Sequence, residues 1–286
     1  MKTQKQNGKV IFVAAGPGDP DLITLKAVSW LQKAEAVLVD RLVSPEIINR
    51  HVNPEAAIIP VGKQAGKDGS TPQSDINALL VQLARDGKLV VRLKGGDVSI
   101  FSNILDELQS LADNNIEFEI VPGVTSALGA AAFAGIPLTA RGYSTAVRFL
   151  TYYKSETIST DYWKDLAKTE DTLVFYMSIQ HLDELMNRFS EAGMETDKPV
   201  ALVEQATTPF QKVYTTTCFN YAQDLKGKNF LSPALLIVGK VVELHQSFQW
   251  MQTNQEESNY YFEPLTDPVK DLADDQKNIN YHVAGN

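Results

Sequence analysis

Residues 92–97, Arg-Leu-Lys-Gly-Gly-Asp, directly follow the apolar run Leu89-Val90-Val91. An apolar run that stops at two glycines predicts a buried strand whose loop brings bare backbone to the carboxyl edge of a sheet. Open α/β sheets bind ligands at that edge. An ordinary tight turn would explain one such stretch, but the pattern recurs in this chain. We therefore interpret Gly95, Gly96 and Asp97 as candidate ligand-binding residues, with Asp97 as a charged acceptor.

A second loop, Gly16-Pro17-Gly18-Asp19-Pro20, follows the apolar segment 9–15. Its two glycines suggest a dinucleotide site, with Asp40 where a ribose-binding acid would lie. The third glycine of that motif is missing, because position 21 is Asp, and both prolines lack the N–H groups that bind a pyrophosphate. A ligand with a nucleoside but no phosphate therefore suits this loop better than a nicotinamide cofactor.

A third loop, Val121-Pro122-Gly123-Val124-Thr125-Ser126-Ala127, opens a helix rich in alanine and glycine. Thr125 and Ser126 have the residue types that cap a helix, and the same hydroxyls suit a ligand's carboxylate or ribose. All three loops follow strands of one predicted sheet. Their convergence indicates a small-molecule site.

Three charged residues also close predicted strands: Asp40, Arg41 and Lys63. A surface ion pair is the ordinary role of such residues, whereas at a cleft they become candidates for proton transfer and for binding carboxylates. The four histidines are scattered without a ligand spacing, so no metal site is expected. Cys218 is the only cysteine, which permits no internal disulfide and fits a reducing cytoplasm.

The periodicity alternates between strands and helices and predicts an α/β fold with two domains. In the first half we expect strands at 9–15, 36–40, 58–61, 88–93 and 118–121 and helices at 22–33, 75–86 and 101–114, with Asp21 capping the first helix. In the second half we expect strands near 146–151, 172–177, 200–204, 210–216 and 234–242 and helices near 161–168 and 179–192. The first sheet should be parallel-rich and the second mixed. We place the N-terminal domain at 1–140, the C-terminal domain at 141–245 and an acidic, poorly ordered tail at 246–286.

The net charge of −9 argues against a nucleic-acid partner. The segment after residue 245 carries −5 of it, so the body is only mildly acidic and compatible with an anionic substrate. No apolar stretch is long enough to cross a membrane, and the N-terminus does not have the pattern of a signal peptide. We expect a cytoplasmic protein.

Taken in order, the motifs resemble the tetrapyrrole methylase family, most closely its members that methylate uroporphyrinogen III. The resemblance covers residues 9 to about 245. Besides the three loops, the matching segments are 22–27, Asp40-Arg41-Leu42-Val43-Ser44, Val61-Gly62-Lys63, 135–139, Leu173-Val174-Phe175-Tyr176-Met177, 203–209 and 232–235.

The resemblance implies that S-adenosyl-L-methionine binds in a cleft between the two domains and leaves as S-adenosyl-L-homocysteine. The implied cofactor-binding residues are Pro17, Gly95, Gly96, Asp97, Ile100, Thr125, Ser126, Met177 and Ala206. Asp40 matches the proposed proton acceptor of the family, and Lys63 matches its proposed proton donor.

The function implied is two successive methylations of uroporphyrinogen III to precorrin-2, for sirohaem or cobalamin synthesis, by a homodimer. Because the substrate carries eight carboxylates, we expect Arg41, Arg141 and Arg148 to contribute with Lys63 to a positive cleft. Two alternatives stay open: methylation of a later corrin precursor, and a catalytically weak S-adenosylmethionine-binding protein with a regulatory or assembly role.

Two segments depart from the family pattern on the substrate side. After Gly-Gly-Asp the family usually continues Pro-Phe-(Ile/Val)-Phe-Gly-Arg-Gly-Gly-Glu-Glu, whereas residues 98–107 read Val-Ser-Ile-Phe-Ser-Asn-Ile-Leu-Asp-Glu. Asn103 thus stands where the family has an arginine and is our candidate for substrate binding. A Thr-Gly-His motif of the family is Thr151-Tyr152-Tyr153 here.

Overall fold

Two five-stranded sheets organise the chain, whose computed structural model describes residues 8–62, 71–152, 159–251 and 260–262. The first unit reaches to Val124 and includes Phe262, and the second unit runs from Thr125 to Tyr261. The first sheet is parallel and the second is mixed, which confirms the predicted α/β fold class.

The first sheet has the strand order β3-β2-β4-β1-β5, and all of its pairings are parallel. Its strands are Lys9–Ala14 (β1), Ala36–Val39 (β2), Ala57–Pro60 (β3), Leu89–Lys94 (β4) and Glu117–Val121 (β5). The central strands are buried on both faces, as expected of a parallel sheet covered by helices. Every carboxyl end therefore lies at one edge, where the predicted loops meet.

Helices cover both faces of this sheet. They are Leu25–Leu31 (α1), Pro45–His51 (α2), Gln73–Arg85 (α3) and Leu105–Asp113 (α4). Ile76 of α3 and Leu111 of α4 pack in one apolar cluster with Phe12. Leu31 of α1 packs with Val13 on the opposite face. The side chains of β1 alternate between these two cores, which fixes the register of the sheet.

The second sheet has the order β6-β7-β10-β8-β9. Its strands are Val147–Thr151 (β6), Thr172–Tyr176 (β7), Pro199–Glu204 (β8), Lys212–Thr217 (β9) and Ala234–Val238 (β10). The helices of this unit are Ser126–Ala134 (α5), Thr160–Lys168 (α6), Leu182–Glu191 (α7), Tyr221–Asp224 (α8) and His245–Phe248 (α9). Strand β10 pairs antiparallel with both β7 and β8, so these two strands share a direction and end at one edge.

The first helix begins later than predicted. Helix α1 starts at Leu25, and its N-cap is Thr24, whose Oγ1 accepts from the Ala27 N–H at 3.2 Å. The prediction that Asp21 caps this helix was wrong, because Asp21 lies in a separate 3-10 turn that Asp19 caps. The predicted helix at 101–114 is likewise shorter and begins at Leu105.

Helix α5 belongs to the second unit. Ala127, Ala130 and Ala134 pack in one cluster with Val174 and Ile237 of the second sheet. The division between units therefore falls before this helix, earlier than the predicted boundary at 140–141.

Part of the acidic tail is packed, in contrast to the expectation for 246–286. The Trp250 indole N–H donates to the Ala132 carbonyl at 2.8 Å, and Phe262 is buried. Residues 252–259 and 263–286 lie outside the described residues. None of the described helices combines the length and apolar character needed to cross a bilayer.

Candidate active site

The loops after β1 and β4 are joined by their backbones. The Gly16 N–H donates to the Gly96 carbonyl at 3.0 Å, and the Gly96 N–H donates to the Gly16 carbonyl at 2.7 Å. Both residues have positive φ, 80° and 69°, which glycine adopts without strain. This pairing holds the loop that contains Pro17 against the loop that contains Gly95 and Gly96.

Gly95 also lies against the loop after β2. A Cβ at this position would be 2.8 Å from the Leu42 carbonyl oxygen, which is too close for any larger residue. Glycine therefore allows the loop after β4 to approach the segment that carries Asp40 and Arg41.

Asp97 joins the loop after β4 to the loop after β5. Its Oδ2 accepts from the Gly123 N–H at 2.8 Å, and its Oδ1 accepts from the Ser99 N–H at 2.8 Å and from the Ser99 hydroxyl. The side chain is buried, and the half-buried Ile100 follows it. Asp97 thus fixes the shape of the predicted cofactor loops, a role that its sequence position alone did not indicate.

A cavity of about 280 Å³ opens beside these loops in the first unit. Its lining includes Asp40, Arg41 and Asn103, three of the predicted catalytic and substrate-binding residues. Asn103 has a φ of 53°, a conformation that asparagine adopts more readily than most residues. Lys63, the predicted proton donor, lies outside the described residues.

Four charged side chains form a cluster at this cavity: Asp40, Arg92, Lys94 and Glu107. The Arg92 Nη2 is 2.5 Å from Asp40 Oδ1, and its Nε is 2.7 Å from Glu107 Oε1. The Lys94 Nζ is 3.1 Å from Glu107 Oε2 and 3.7 Å from Asp40 Oδ2. Glu107 is fully buried, whereas 28% of the Asp40 side chain is exposed, so Asp40 is the carboxylate that faces solvent.

The cluster shifts the pKa values of its members. Burial acts to raise the pKa of Asp40, but the charges of Arg92 and Lys94 outweigh it and hold that pKa below its usual value. Burial, followed by the charge of Arg92, lowers the pKa of Lys94, although Asp40 and Glu107 oppose this. Burial disfavours the charged form of Arg92, yet the two carboxylates raise its pKa. Asp40 is therefore an anion whose charge is balanced by Arg92 and, when it is protonated, by Lys94.

The second unit holds the remaining predicted cofactor residues. Thr125 is the N-cap residue of α5, but the Tyr176 hydroxyl makes the capping contact: it accepts from the Ala127 N–H at 3.1 Å and lies 2.7 Å from Thr125 Oγ1. Ser126, half-buried, opens the same helix. The Thr125 hydroxyl therefore does not cap the helix, because it bonds to the Tyr176 hydroxyl instead.

Met177 and Ala206 follow β7 and β8 at one edge of the second sheet. Met177 has a φ of 54°, and 52% of it is exposed. It is therefore not a core residue, and its cofactor role stays a prediction. Ala206 is buried between Gln205 and Thr207, which have φ values of 45° and 66°. The backbone at both strand ends is thus held in a conformation that non-glycine residues rarely adopt.

Arg148 does not have the role predicted for it. Its Nε is 2.6 Å from Asp171 Oδ2, and its other nitrogens contact Asp165 and Thr169. It also lies near the start of β6, which runs parallel to β7, and therefore at the opposite edge from Met177. Its charge is neutralised within the second unit, so we remove it from the candidate site.

Arg141 was predicted to bind substrate, whereas three charged residues of the cluster were not predicted at all. Arg141 is an exposed residue in the turn before β6, and its role in substrate binding remains a prediction.

Sequence reasoning did not identify Arg92, Lys94 and Glu107. Two cations at alternate positions of an otherwise apolar strand were a usable signal, because buried charges require partners.

The comparisons with known proteins agree with this geometry. The hydrogen-bonded glycine loops at the edge of the parallel sheet, together with the charged cavity beside them, are typical of an α/β protein that binds a small molecule. A profile of the Tetrapyrrole (Corrin/Porphyrin) Methylases matches residues 9–221. The chain belongs to this family, as the sequence resemblance indicated. The family depends on S-adenosylmethionine, in line with the predicted cofactor.

A siroheme synthase from Ruthia magnifica subsp. Calyptogena magnifica is 44% identical over 248 residues, which are 87% of this chain and 52% of that protein. The chain spans about half the length of the curated relatives it matches.

Solved structures are similar over nearly their whole length. The uroporphyrin-III-C-methyltransferase from Thermus thermophilus is 36% identical, with a TM-score of 0.71 over 86% of this chain and 98% of that one. A Thermus thermophilus structure complexed with S-adenyl homocysteine is 32% identical, with a TM-score of 0.70 over 83% and 100%. A cobalt precorrin-4 methyltransferase is 30% identical, with a TM-score of 0.72 over 82% and 95%.

Proposed function

We propose that this protein is an S-adenosylmethionine-dependent C-methyltransferase that methylates uroporphyrinogen III twice, giving precorrin-2. The observation that carries the proposal is the cavity at the carboxyl edge of the first sheet, where Asp40 faces solvent beside the tied glycine loops. The similarity to siroheme synthases and to uroporphyrin-III-C-methyltransferases supports this substrate.

The residues present fit an adenosyl sulfonium. The loop of Gly16, Pro17 and Gly18 suits a ligand without phosphates, because proline offers no N–H to an anion. The Ser178 hydroxyl, next to the exposed Met177, is buried and has no hydrogen-bond partner among the described residues. A ligand with polar groups at this strand end would satisfy it. We propose that Pro17, Gly95, Gly96, Asp97, Ile100, Thr125, Ser126, Met177 and Ala206 hold the cofactor.

When bound, S-adenosylmethionine supplies a methyl group on a sulfonium, which leaves as a neutral thioether. A pyrrole carbon of the substrate attacks that methyl group, so alignment of the two molecules provides much of the rate. The methylated ring system then loses a proton. Asp40 is the acceptor we propose, because it lines the cavity and 28% of its side chain is exposed. General bases of this kind contribute about 10²–10⁴-fold to a rate.

We propose that Arg41 and Lys63 bind substrate carboxylates, with Lys63 also the proton donor, and that Arg141 is a further contact. Asn103 has no charge to offer a carboxylate, so it would contribute a hydrogen bond instead. We also propose a cytoplasmic homodimer, which the resemblance implies. Analytical ultracentrifugation of the purified chain tests the dimer.

A later corrin precursor is the second candidate substrate. The similarity to a cobalt precorrin-4 methyltransferase is as close in fold as that to the uroporphyrin enzymes, with TM-scores of 0.72 and 0.71. Asn103 lines the cavity at the position where other members of the family have an arginine. This difference favours a substrate other than that of those enzymes.

The test is a turnover assay with uroporphyrinogen III and S-adenosylmethionine under anaerobic conditions. We expect a dimethylated product, detected as a fluorescent species after oxidation and by its mass. Asp40→Asn serves as the control that should lack product. Product from a later corrin precursor but none from uroporphyrinogen III would assign the second candidate, and no product from either would overturn the proposal.

A further inference from the structure

Lys94 is a buried lysine inside the charged cluster. It is two residues from Arg92 on β4, so both side chains lie on the same face of the sheet. Only 5% of Lys94 is exposed, yet it lines the cavity together with Asp40. Its Nζ lies 3.1 Å from Glu107 Oε2 and 3.7 Å from Asp40 Oδ2. A group in this place has access to any proton that arrives on Asp40.

Arg92 makes short hydrogen bonds to both carboxylates of the cluster. Its guanidinium bonds to Asp40 and to Glu107 at 2.5 and 2.7 Å. Arginine does not lose its proton in proteins, whereas a buried lysine exists in both forms. Without the proton of Lys94 the cluster has one cation and two anions, a net charge of −1, which favours uptake of a proton. With that proton the cluster is neutral.

Resting on the function proposed above, we propose that Lys94 is the final acceptor of the proton that the methylated substrate loses. The C–H bond breaks and its electron pair stays in the ring system, cancelling the positive charge left by methyl transfer. The proton passes to Asp40 Oδ2 and from there to the neutral Lys94 amine, which becomes an ammonium. Solvent removes this proton before the next turnover.

The other charged groups around Lys94 cannot take this role. Glu107 is fully buried and does not line the cavity, and Arg92 and Arg41 are permanently charged. Asp40 by itself is a weak base, because the charge of Arg92, joined by that of Lys94 when it is protonated, lowers its pKa. Burial and the charge of Arg92 lower the pKa of Lys94, which increases the fraction of neutral amine. The gap of 3.7 Å between Lys94 and Asp40 is of the kind that closes when substrate binds.

The deciding experiment compares Lys94→Arg with wild type for turnover of uroporphyrinogen III. Arginine has the charge of the protonated lysine at every pH and cannot be a neutral acceptor. We expect kcat to fall by about 10²–10⁴-fold, the usual size of a proton-transfer contribution, while the affinity for S-adenosylhomocysteine is unchanged. The matched control is Lys198→Arg, a lysine of similar burial that donates to the Thr169 carbonyl, and it should keep full activity. Lys94→Arg activity within about threefold of wild type would overturn the proposal.

A second variant guards against misfolding caused by the larger guanidinium. Lys94→Cys in a Cys218→Ser background, alkylated with bromoethylamine, restores an amine whose pKa the neighbouring sulfur lowers. Because the neutral amine is the active form, the rising limb of the pH–rate profile should move to lower pH. A restored rate with an unmoved limb would contradict a proton-carrying role and leave Lys94 as a structural cation.

The two proposals fail in different ways. If wild type and Lys198→Arg bind S-adenosylhomocysteine but yield no product from any tetrapyrrole offered, the function itself is wrong and the role of Lys94 falls with it. If wild type and Lys94→Arg are both active with the same pH profile, the function stands and only the role of Lys94 is refuted.

Discussion

The carboxyl edges of the two sheets differ in the residues that lie at their strand ends. At the first edge, Asp40, Arg92, Lys94 and Glu107 form a cluster of alternating charge beside the cavity. At the second edge, β8 ends in the carboxylate of Glu204, and Met177 has an unfavourable backbone conformation. This difference indicates that ionised side chains distinguish the edge of the first sheet, whereas backbone conformation distinguishes the edge of the second.

Two buried glutamates, one at each edge, differ in the partners that they bond to. Glu107 bonds to two cations, whereas Glu204, at the end of β8, accepts from the Leu231 N–H and the Tyr214 hydroxyl at 2.5 and 3.3 Å. Burial raises the pKa of Glu204, against the effect of these donors. Burial, with the nearby carboxylate, also raises the pKa of Tyr214 to about 12, so this hydroxyl stays protonated.

The largest expected effect is that of Asp40→Asn on catalysis. The amide cannot accept the proton, so we expect kcat to fall by about 10²–10⁴-fold. Binding of S-adenosylhomocysteine, measured by calorimetry, should stay within about twofold of wild type. Substantial turnover by this variant would show that the charge of the first edge is not used in proton transfer.

The next effect separates the two glutamates by stability. Glu107→Gln leaves buried cations without a full partner, and we expect a loss of about 3 kcal/mol in the free energy of unfolding. Glu204→Gln keeps an acceptor for Leu231 and should cost about 1 kcal/mol at neutral pH. Urea denaturation of both variants gives the comparison. Equal losses would remove the distinction between a glutamate paired with cations and one that accepts from a backbone N–H and a hydroxyl.

The pH dependence of stability should differ between Glu204 at the second edge and Asp40 at the first. The raised pKa of Glu204 means that the folded state binds more protons than the unfolded state between the two pKa values. Stability therefore falls as pH rises through this window, and Glu204→Gln should flatten that slope. Asp40 acts in the opposite sense: its lowered pKa contributes stability above the unfolded value, and this is lost as pH falls through the folded value.

Gly95→Ala tests close approach at the first edge. The new Cβ would lie 2.8 Å from the Leu42 carbonyl oxygen, so we expect a cost of about 1–3 kcal/mol and weaker S-adenosylhomocysteine binding. Gly193→Ala is the comparison, because no atom lies within 4 Å and only its φ of 82° opposes a side chain. That strain should cost about 1–2 kcal/mol and leave binding unchanged. Equal binding by both variants would speak against a ligand near Gly95.

The smallest effect belongs to the second edge. Tyr176→Phe removes the hydroxyl that contacts the Ala127 N–H and Thr125 Oγ1, with an expected loss of about 1 kcal/mol. Thermal unfolding followed by circular dichroism measures it. A variant as stable as wild type would mean that this hydroxyl does not hold the start of α5.

Much of the fold could be predicted from the sequence. Apolar strands alternating with amphipathic helices determined the order of elements and the class of both sheets. Helix α2 was missed although Pro45 follows Ser44 at its start, a known signature of a helix beginning. Thr24 was passed over as a cap in favour of Asp21, because side-chain type alone does not say where the first turn begins.

The site was predictable only in part. Loops after parallel strands converge by topology, which is why Gly16 and Gly96 could be placed together. The partners of Arg92 could not be assigned, since Glu107 lies fifteen residues away on α4 beside other acidic candidates. Arg148 was misjudged because sequence does not show that its nearest carboxylates, Asp165 and Asp171, neutralise it.

The most direct test is a calorimetric titration of the folded chain with S-adenosylhomocysteine. We predict saturable binding at one site per chain, equally for wild type and Asp40→Asn, because the loops that hold the nucleoside differ from the cluster that moves the proton. No detectable heat from the folded protein, with either the methyl donor or its demethylated product, would contradict the account.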